Sequence, residues 1–255
     1  MRIMTSNIWG DYFGNECNTR SKGLEDTYRK YLPDIIGVQE ITEGWYNEGI
    51  FGRLSDEYTL VEGWVGNYTP LLFRKDAFNM VECGWEHLDE TPDQSKSITW
   101  AVLVDKATKK LLCVLNTHFW WMERNADDYE LRRLNAVQLL NRMNLLKDRY
   151  NCPVIAFGDL NSRPDSPAIK YLYEQGVYSS YDLSKEPHKI CTIHGNPERG
   201  EDKLFHGKKT ELDFMKTIDH IVTYKDFYFD KQVVVEDGCV LDSSDHSPVY
   251  VDFEL

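Results

Sequence analysis

The feature that most constrains the fold is a succession of short apolar segments, each about as long as one β-strand. Only two longer helical patterns interrupt the succession. The predicted strands, in chain order, cover residues 2–9, 34–40, 58–64, 70–75, 78–85, 97–105, 110–119, 153–161, 217–224, 229–236 and 247–255. The polar turn KATKK joins 97–105 to 110–119 and predicts a hairpin, so neighbouring strands are antiparallel in at least part of the fold.

The helical patterns lie between these strands. Residues 20–32 place Leu24, Tyr28 and Tyr31 on one side, and Pro33 then ends the helix. Residues 128–149 form the longest helical pattern, and a short helix begins near Ser166. Residues 180–213 are polar and predict irregular structure. The mixture favours two packed sheets with helices outside over a purely parallel alternation of strands and helices.

Composition bounds the class of protein. The chain has 255 residues and 42% hydrophobic content, with no linker or repeat, which predicts one domain over residues 1–255. The formal net charge of −13 does not favour non-specific binding to a phosphate backbone. Nucleic acid is therefore a possible partner, but not one that the charge indicates. Six cysteines stand too far apart in sequence for a zinc site.

Location and assembly stay open at the level of the sequence. No apolar run approaches the length of a membrane span, and the segment MRIMTSNIWG predicts a strand rather than a signal peptide. We therefore expect a soluble chain, either cytoplasmic or exported with a leader that this sequence lacks. A monomer is compatible with the sequence, which does not determine the oligomeric state.

A second pattern concerns the polar residues at the ends of these apolar strands. They are Asn7, Glu40, Asn116, His118, Asp159, Asn161, Asp219, His220, Asp245 and His246. Each has an ordinary structural explanation. Asparagine forms turns, a buried glutamate can belong to an ion pair, and a histidine can lie in the core with its hydrogen bonds satisfied or on the surface. Because strand ends converge at one edge of a sheet sandwich, the repetition instead predicts a single cluster of polar side chains.

The ordered motifs that contain these residues resemble a known series. NIWG, GVQE, NTHF, GDLNSRPDS, IDHI and SSDHSPV, between residues 3 and 252, are similar to the signatures of the endonuclease/exonuclease/phosphatase superfamily. That superfamily includes pancreatic-type deoxyribonuclease, abasic-site endonucleases, neutral sphingomyelinase, inositol-polyphosphate 5-phosphatases and the deadenylase/nocturnin group. The resemblance implies an α/β four-layer sandwich, in which two mixed β-sheets pack face to face with helices on both outer faces.

The resemblance also implies a Mg²⁺ (or Mn²⁺) site and a role for each residue. Oxygen ligands suit such an ion, which neutralises the charge that grows on a phosphoryl group. The implied metal ligands are Glu40, Asn7 and Asp245. The implied catalytic residues are Asp159, which aims a water, Asn161, His118 and His246, which contact the phosphoryl group, and Asp219, which orients His246.

Substrate contacts are expected from polar and aromatic residues near the motifs. The candidates are Asn116, Trp120, Trp121 and His194, the last within CTIHG, a stretch similar to one in some members. Trp9, Tyr12 and Phe13 follow Asn7, and such rings either pack or stack on a sugar or base. Abasic-site endonucleases carry an aspartate where this chain has Trp9, which weakens the DNA-repair interpretation.

Three functional hypotheses follow. The first is a metal-dependent hydrolase that cleaves a phosphomonoester or phosphodiester in a small organic phosphate, a lipid headgroup or a nucleotide. The second is a DNA or RNA nuclease, for which the basic runs KATKK and HGKK are thin support. The third is an inactive binding module of the same fold, which the presence of every implied catalytic residue disfavours. The specific substrate, the ester class and the number of metals stay open.

Overall fold

A computed structural model describes residues 1–47, 50–61, 66–92 and 94–255. The second half of the predicted strand 58–64 and the side chain of Phe13 lie outside the described residues. The first ten α-helices and β-strands are β1 (Arg2–Asn7), α1 (Cys17–Tyr31), β2 (Ile35–Gln39), α2 (Glu43–Asn47), α3 (Ile50–Leu54), β3 (Tyr58–Val61), β4 (Leu71–Arg74), β5 (Phe78–His87), β6 (Ser97–Asp105) and β7 (Leu111–His118). The remaining elements are α4 (Ala126–Tyr150), β8 (Val154–Asp159), α5 (Pro167–Glu174), β9 (Val177–Ser179), α6 (Ser180–Leu183), β10 (Ser184–Pro187), β11 (Glu198–Arg199), β12 (Phe205–His206), β13 (Asp219–Tyr224), β14 (Phe229–Val234), α7 (Gly238–Leu241) and β15 (Val249–Asp252).

Two mixed sheets contain most of these strands. Across the described residues, the first sheet has the order β10-β14-β15-β1-β2-β4-β3 and the second has the order β5-β6-β7-β8-β13-β9. The pairs β1–β2 and β7–β8 are parallel, whereas β13 and β15 run antiparallel to β8 and β1. The predicted hairpin is confirmed, because β6 and β7 pair in antiparallel register.

The layers follow from where the apolar side chains are buried. Ile3 of the first sheet and Phe157 of the second belong to one buried cluster, which fills the space between the sheets. Leu139 of α4 and Leu172 of α5 pack on the outer face of the second sheet, and Leu24 of α1 packs on the outer face of the first. Each sheet therefore has one face against the other sheet and one against helices, which confirms the four-layer sandwich.

Local chemistry sets the ends of the long helices. The side chain of Asn125 accepts hydrogen bonds from the backbone of Asp127 and Asp128 at the start of α4, and Asn151 ends that helix with a left-handed φ of 47°.

The prediction that residues 180–213 are wholly irregular was wrong, since α6, β10, β11 and β12 lie within that range. These elements have four residues or fewer, too short for a hydrophobic period to reveal.

Within the described residues, no helix is both long and apolar enough to cross a membrane.

Candidate active site

One edge of the sandwich gathers the polar residues that the motifs contain. Asn7 ends β1 and Glu40 directly follows β2 in the first sheet, while His118 ends β7 and Asp159 ends β8 in the second. Each pair of strands is parallel, so its two carboxyl ends lie side by side, and a hydrogen bond from Asn7 to Asp159 shows that both pairs end at the same edge of the sandwich.

The remaining acidic residues reach this edge from the opposite chain direction. Asp219 opens β13, and Asp245 and His246 precede β15, so the expectation that these residues end their strands was wrong. Both strands run antiparallel to their neighbours, and Asp219 pairs in register with Asp159. Because the amino end of an antiparallel strand lies beside the carboxyl end of its neighbour, these residues join the same cluster.

Backbone conformation turns two of these side chains into place. Glu40 and Asn161 have left-handed φ angles of 65° and 46°, which non-glycine residues adopt at a cost of about 1–3 kcal/mol. Gly158 has a φ of 153°, and a Cβ atom there would stand 1.9 Å from the backbone oxygen of Thr117. Only glycine therefore lets β8 approach β7 closely enough to bring Asp159 beside His118.

Asn7 links the carboxylates of the two sheets. Its Nδ2 donates to Glu40 Oε1 at 3.1 Å and to Asp159 Oδ2 at 3.0 Å, and its Oδ1 accepts from the backbone of Trp9. Glu40 Oε2 also accepts a hydrogen bond of 2.9 Å from the backbone of Gly10. The amide thus holds Glu40 and Asp159 close together although they belong to different layers.

Asp159 is nearly inaccessible, with 1% of its surface exposed. Its Oδ1 accepts from the backbone of Asn161 at 2.8 Å, and Asn161 Nδ2 donates to the carbonyl of Phe119. Burial, and then the nearby charge of Asp219, raises the pKa of Asp159 to about 7. A carboxylate with this pKa exchanges protons near neutral pH, as a general base requires.

The structure brings Asp219 and His246 together. His246 Nδ1 lies 2.9 Å from Asp219 Oδ2, although the residues are 27 positions apart in sequence. The Nε2 atom of the same ring lies 3.9 Å from Asp159 Oδ2. Burial alone would lower the pKa of His246, but the carboxylates of Asp219, Asp245 and Asp159 outweigh it and raise that pKa well above its usual value. The ring is therefore an imidazolium at neutral pH.

The second histidine, His118, is neutral, whereas His246 is positively charged. Its Nε2 lies 3.4 Å from Asp159 Oδ2, and the ammonium of Lys96 lies 3.0 and 3.2 Å from its two ring nitrogens. Burial and then the charge of Lys96 place the pKa of His118 well below its usual value, so the ring is neutral. Lys96 belongs to none of the sequence motifs, and the SKSITW segment gave no signal for it.

A buried arginine fixes the loops that carry these residues. Arg20, 1% exposed, donates to the carbonyls of Ile8 and Trp9 after β1 and to the carbonyl of Ser243 before β15. Burial lowers its pKa to about 10, which leaves the guanidinium charged at neutral pH. It joins the loop next to Glu40 to the loop that contains Asp245.

The donor set fits a hard divalent cation. Two groups of side chains offer ligand atoms within 4.8 Å of one another: Glu40, His118 and Asp159 form the first, and Asp159, Asp219 and His246 form the second. Asp245 belongs to neither such group among the described residues, yet its Oδ1 is buried with no hydrogen-bond partner there. Burial raises the pKa of Asp245 to about 6, with a further contribution from Glu40. The buried Asp245 oxygen has no hydrogen-bond donor in the described part of the chain and lies near the carboxylate of Glu40. A divalent cation would stabilise two carboxylates in such an arrangement.

Two of the expected substrate contacts are buried structural residues instead. Asn116 is fully buried, and its Nδ2 donates at 2.8 Å to the carbonyls of Val38 and Pro70 in the other sheet. It points between the sheets like His118, but it lies two residues farther from the edge. Trp120 is 3% exposed and donates from Nε1 to Asp128 at the start of α4.

The other two expected contacts differ from each other. Trp121 is 54% exposed and lines the cleft together with Tyr12. His194 is 3% exposed, its backbone donates to the carbonyl of Asp245, and neither of its ring nitrogens has a partner among the described residues. Burial lowers the pKa of His194 to about 4, so this ring is neutral. It supports the loop of Asp245 and does not line the cleft.

The cluster opens into a cleft of about 610 Å³. Its lining residues are Tyr12, Glu40, Tyr68, Gln94, Ser95, Lys96, His118, Trp121, Asp159, Asn161 and His246. A neighbouring cavity of about 410 Å³ shares Trp121 and Asn161 with the cleft. The size suits a small organic molecule, and polar groups converge at its base.

Comparison with known proteins agrees with this geometry. The model of the endonuclease/exonuclease/phosphatase family matches residues 4–246. Protein angel homolog 1 of Homo sapiens is 36% identical over 173 residues, which cover 61% of this chain and 26% of that protein. The chain therefore matches only about a quarter of the length of that relative.

Solved structures share the fold over the whole chain. An endonuclease/exonuclease/phosphatase family protein from Bacteroides thetaiotaomicron has a TM-score of 0.78 at 20% identity and covers 100% of this chain and 98% of its own. A mannosyl-6-phosphatase of the same organism has a TM-score of 0.75 at 20% identity, with 100% of both chains covered. The chain belongs to the endonuclease/exonuclease/phosphatase family, whose members are hydrolases of phosphate esters.

Proposed function

We propose that this protein is a divalent-metal-dependent hydrolase that cleaves a phosphate ester by in-line attack of an activated water. The observation that carries the proposal is the cluster in which His246 contacts Asp219 at 2.9 Å and lies 3.9 Å from Asp159, at the base of a cleft. A small organic phosphate, a lipid headgroup or a nucleotide is the proposed substrate.

The residues of the cluster divide the chemistry between them. Asp159 accepts the proton of the attacking water, which its pKa near 7 allows, and Asn161 helps to position that water. The His246 imidazolium donates to a phosphoryl oxygen as negative charge builds there, and Asp219 keeps the ring charged and oriented. His118, as a neutral ring, donates one hydrogen bond at most.

Glu40 and Asp245 would hold the metal, with the Asn7 side chain beside them. These three side chains offer oxygen atoms, which suit Mg²⁺ or Mn²⁺. When bound, the ion neutralises negative charge on the phosphoryl group. The Asp245 oxygen without a partner supports this assignment.

Hydrolysis assays with and without metal test the proposal. We expect turnover of a panel of phosphate esters in Mg²⁺ or Mn²⁺, complete loss in excess chelator, and recovery when metal is restored. Glu40→Gln should lose metal binding, measured by calorimetry, while its thermal unfolding stays near that of the wild type. Glu43→Gln, at an exposed position three residues later, is the matched control. Full turnover in excess chelator would refute the metal assignment.

A nuclease is the second candidate, and one observation favours it. Arg124, Arg163 and Lys216 line the cavity next to Trp121, a cationic and aromatic surface that suits nucleotides. Each cation, however, already pairs with an acid, as Arg163 does with Glu123 at 3.6 Å. Measured cleavage of single-stranded and duplex oligonucleotides, compared with small phosphate esters, distinguishes the two candidates.

A further inference from the structure

Lys96 is a charged residue in the lining of the cleft that the proposed mechanism does not use. It immediately precedes β6, is only 5% exposed, and lines the same cavity as Glu40 and Asp159. Lysine is rarely buried, because removing an ammonium from water is costly unless the group interacts with something in return. Its position in the lining of the cleft places a cationic nitrogen where a bound substrate can contact it.

The contact with His118 fixes where the charge lies. The Lys96 ammonium stands 3.0 Å from His118 Nε2 and 3.2 Å from Nδ1, and the neutral ring has one unprotonated nitrogen that can accept a hydrogen bond from it. His118 Nε2 in turn lies 3.4 Å from Asp159 Oδ2. The lysine is thus held against the side chains at the base of the cleft, away from the exposed rim.

The placement of charges in the two sheets gives the function. Glu40 and Asp245, the proposed metal ligands, belong to the edge of the first sheet, whereas Lys96 belongs to the edge of the second. A phosphoryl group bound in the cleft would lie between the residues that would hold the metal and the ammonium of Lys96. At slightly alkaline pH a phosphate monoester carries two negative charges, since its second pKa is about 6, and a diester carries only one.

We infer that Lys96 binds a terminal phosphoryl oxygen and makes the cleft selective for phosphate monoesters over diesters. This inference rests on the proposed hydrolase function and narrows its substrate class. Lys96 supplies a cationic hydrogen-bond donor. The third terminal oxygen of a phosphate monoester can accept from this donor. In a diester the corresponding oxygen is esterified and carries no charge. If Lys96 served only to hold His118, its removal would harm both classes of substrate equally, because His118 contacts Asp159 whichever ester is bound.

Kinetics with two matched substrates test the inference. We would measure kcat/KM for p-nitrophenyl phosphate and bis(p-nitrophenyl) phosphate with Mg²⁺ at about pH 8, where the monoester is a dianion. The wild type should prefer the monoester. Lys96→Gln should lose about 10- to 100-fold more on the monoester than on the diester, the effect of one hydrogen bond to a charged group. Lys96→Arg keeps the charge and should keep the preference.

The control removes a lysine that does not line the cleft. Lys209 is half-buried, and its ammonium bonds to the carbonyl of Cys191. Lys209→Gln should change both kcat/KM values by the same factor. The ratio of the two values is independent of the fraction of correctly folded enzyme, so partial misfolding of Lys96→Gln does not obscure the outcome. An equal loss on both substrates, or a wild type that prefers the diester, overturns the inference.

A binding measurement decides the matter without turnover. Calorimetry should show that the metal-loaded wild type binds inorganic phosphate more tightly than dimethyl phosphate, and that Lys96→Gln weakens only the first. Equal affinity of the wild type for the two anions overturns the inference even where no variant folds. Absence of metal-dependent hydrolysis of either ester by the wild type instead contradicts the proposed function, so the two failures are distinguishable.

Discussion

The pair formed by Asp219 and His246 gives the sharpest prediction. Asp219→Asn removes one negative charge and keeps the shape of the side chain. At the observed 2.9 Å, two unit charges attract by about 6 kcal/mol with an effective dielectric constant of about 20, and 1.4 kcal/mol corresponds to about one pKa unit. Asp159, whose carboxylate lies 3.9 Å from the other ring nitrogen, offsets part of the loss. The pKa of His246 should therefore fall, and its ring should lose orientation.

We expect turnover to decrease on the order of 10²- to 10⁴-fold, the usual effect of losing a general acid–base group or the carboxylate that orients it. Stability should change far less, because Asp219→Asn also relieves the repulsion between Asp219 and Asp159. His246→Ala should lose a similar factor, and the double variant should be little worse than either single variant, since the two residues act as a unit.

Steady-state kinetics of the wild type, both single variants and the double variant form the assay. The pH profile adds an independent readout. Because the charge of Asp219 helps to raise the pKa of Asp159, Asp219→Asn should shift the acid limb of kcat/KM to lower pH. Asp226→Asn, at an exposed position, is the control. Near-normal turnover in Asp219→Asn, or losses that multiply in the double variant, would refute the reasoning.

Three further predictions concern partners, pH and stability. Binding to generic duplex DNA at physiological salt should be weak because the net charge is −13, and efficient plasmid nicking with a steep salt dependence would contradict this. His220 is buried, donates from Nε2 to the carbonyl of Ser162, contacts the hydroxyl of Ser179 through Nδ1, and has a pKa that burial lowers to about 4. The unfolded chain therefore binds more protons between about pH 6.5 and 4, so about 3 kcal/mol of stability is present above that window and lost across it as the pH falls, and urea unfolding should show that His220→Gln lacks this component. Arg20→Met should lower the free energy of unfolding by about 3 kcal/mol or more, because it leaves buried carbonyls without a donor, whereas an unchanged midpoint in urea would show that the loops do not depend on Arg20.

The sequence determined the positions of the helices and strands and the fold class, because hydrophobic periodicity depends on residues that are close together in the chain. Strands such as β1, β2, β6, β7 and β8 begin and end within a few residues of their predicted bounds, and α4 does as well. The family was also readable, since the GDLN and SDH motifs need no knowledge of contacts. The fold of the family then supplied the four layers, which hydrophobic pattern alone left as two packed sheets with helices outside.

The tertiary structure decided which polar residues face the cleft. Asn116 and His118 occupy the same face of β7, and only the position of the other sheet makes the first a buried link and the second part of the site. Trp120 and Trp121 are neighbours in sequence, yet one anchors α4 and the other is exposed. Lys96 belongs to no motif, and its burial, its place in the cleft and its contact with His118 are known from the tertiary structure. The reason is physical: burial, charge state and hydrogen bonding depend on neighbours that are distant in the chain, and a linear pattern does not contain them.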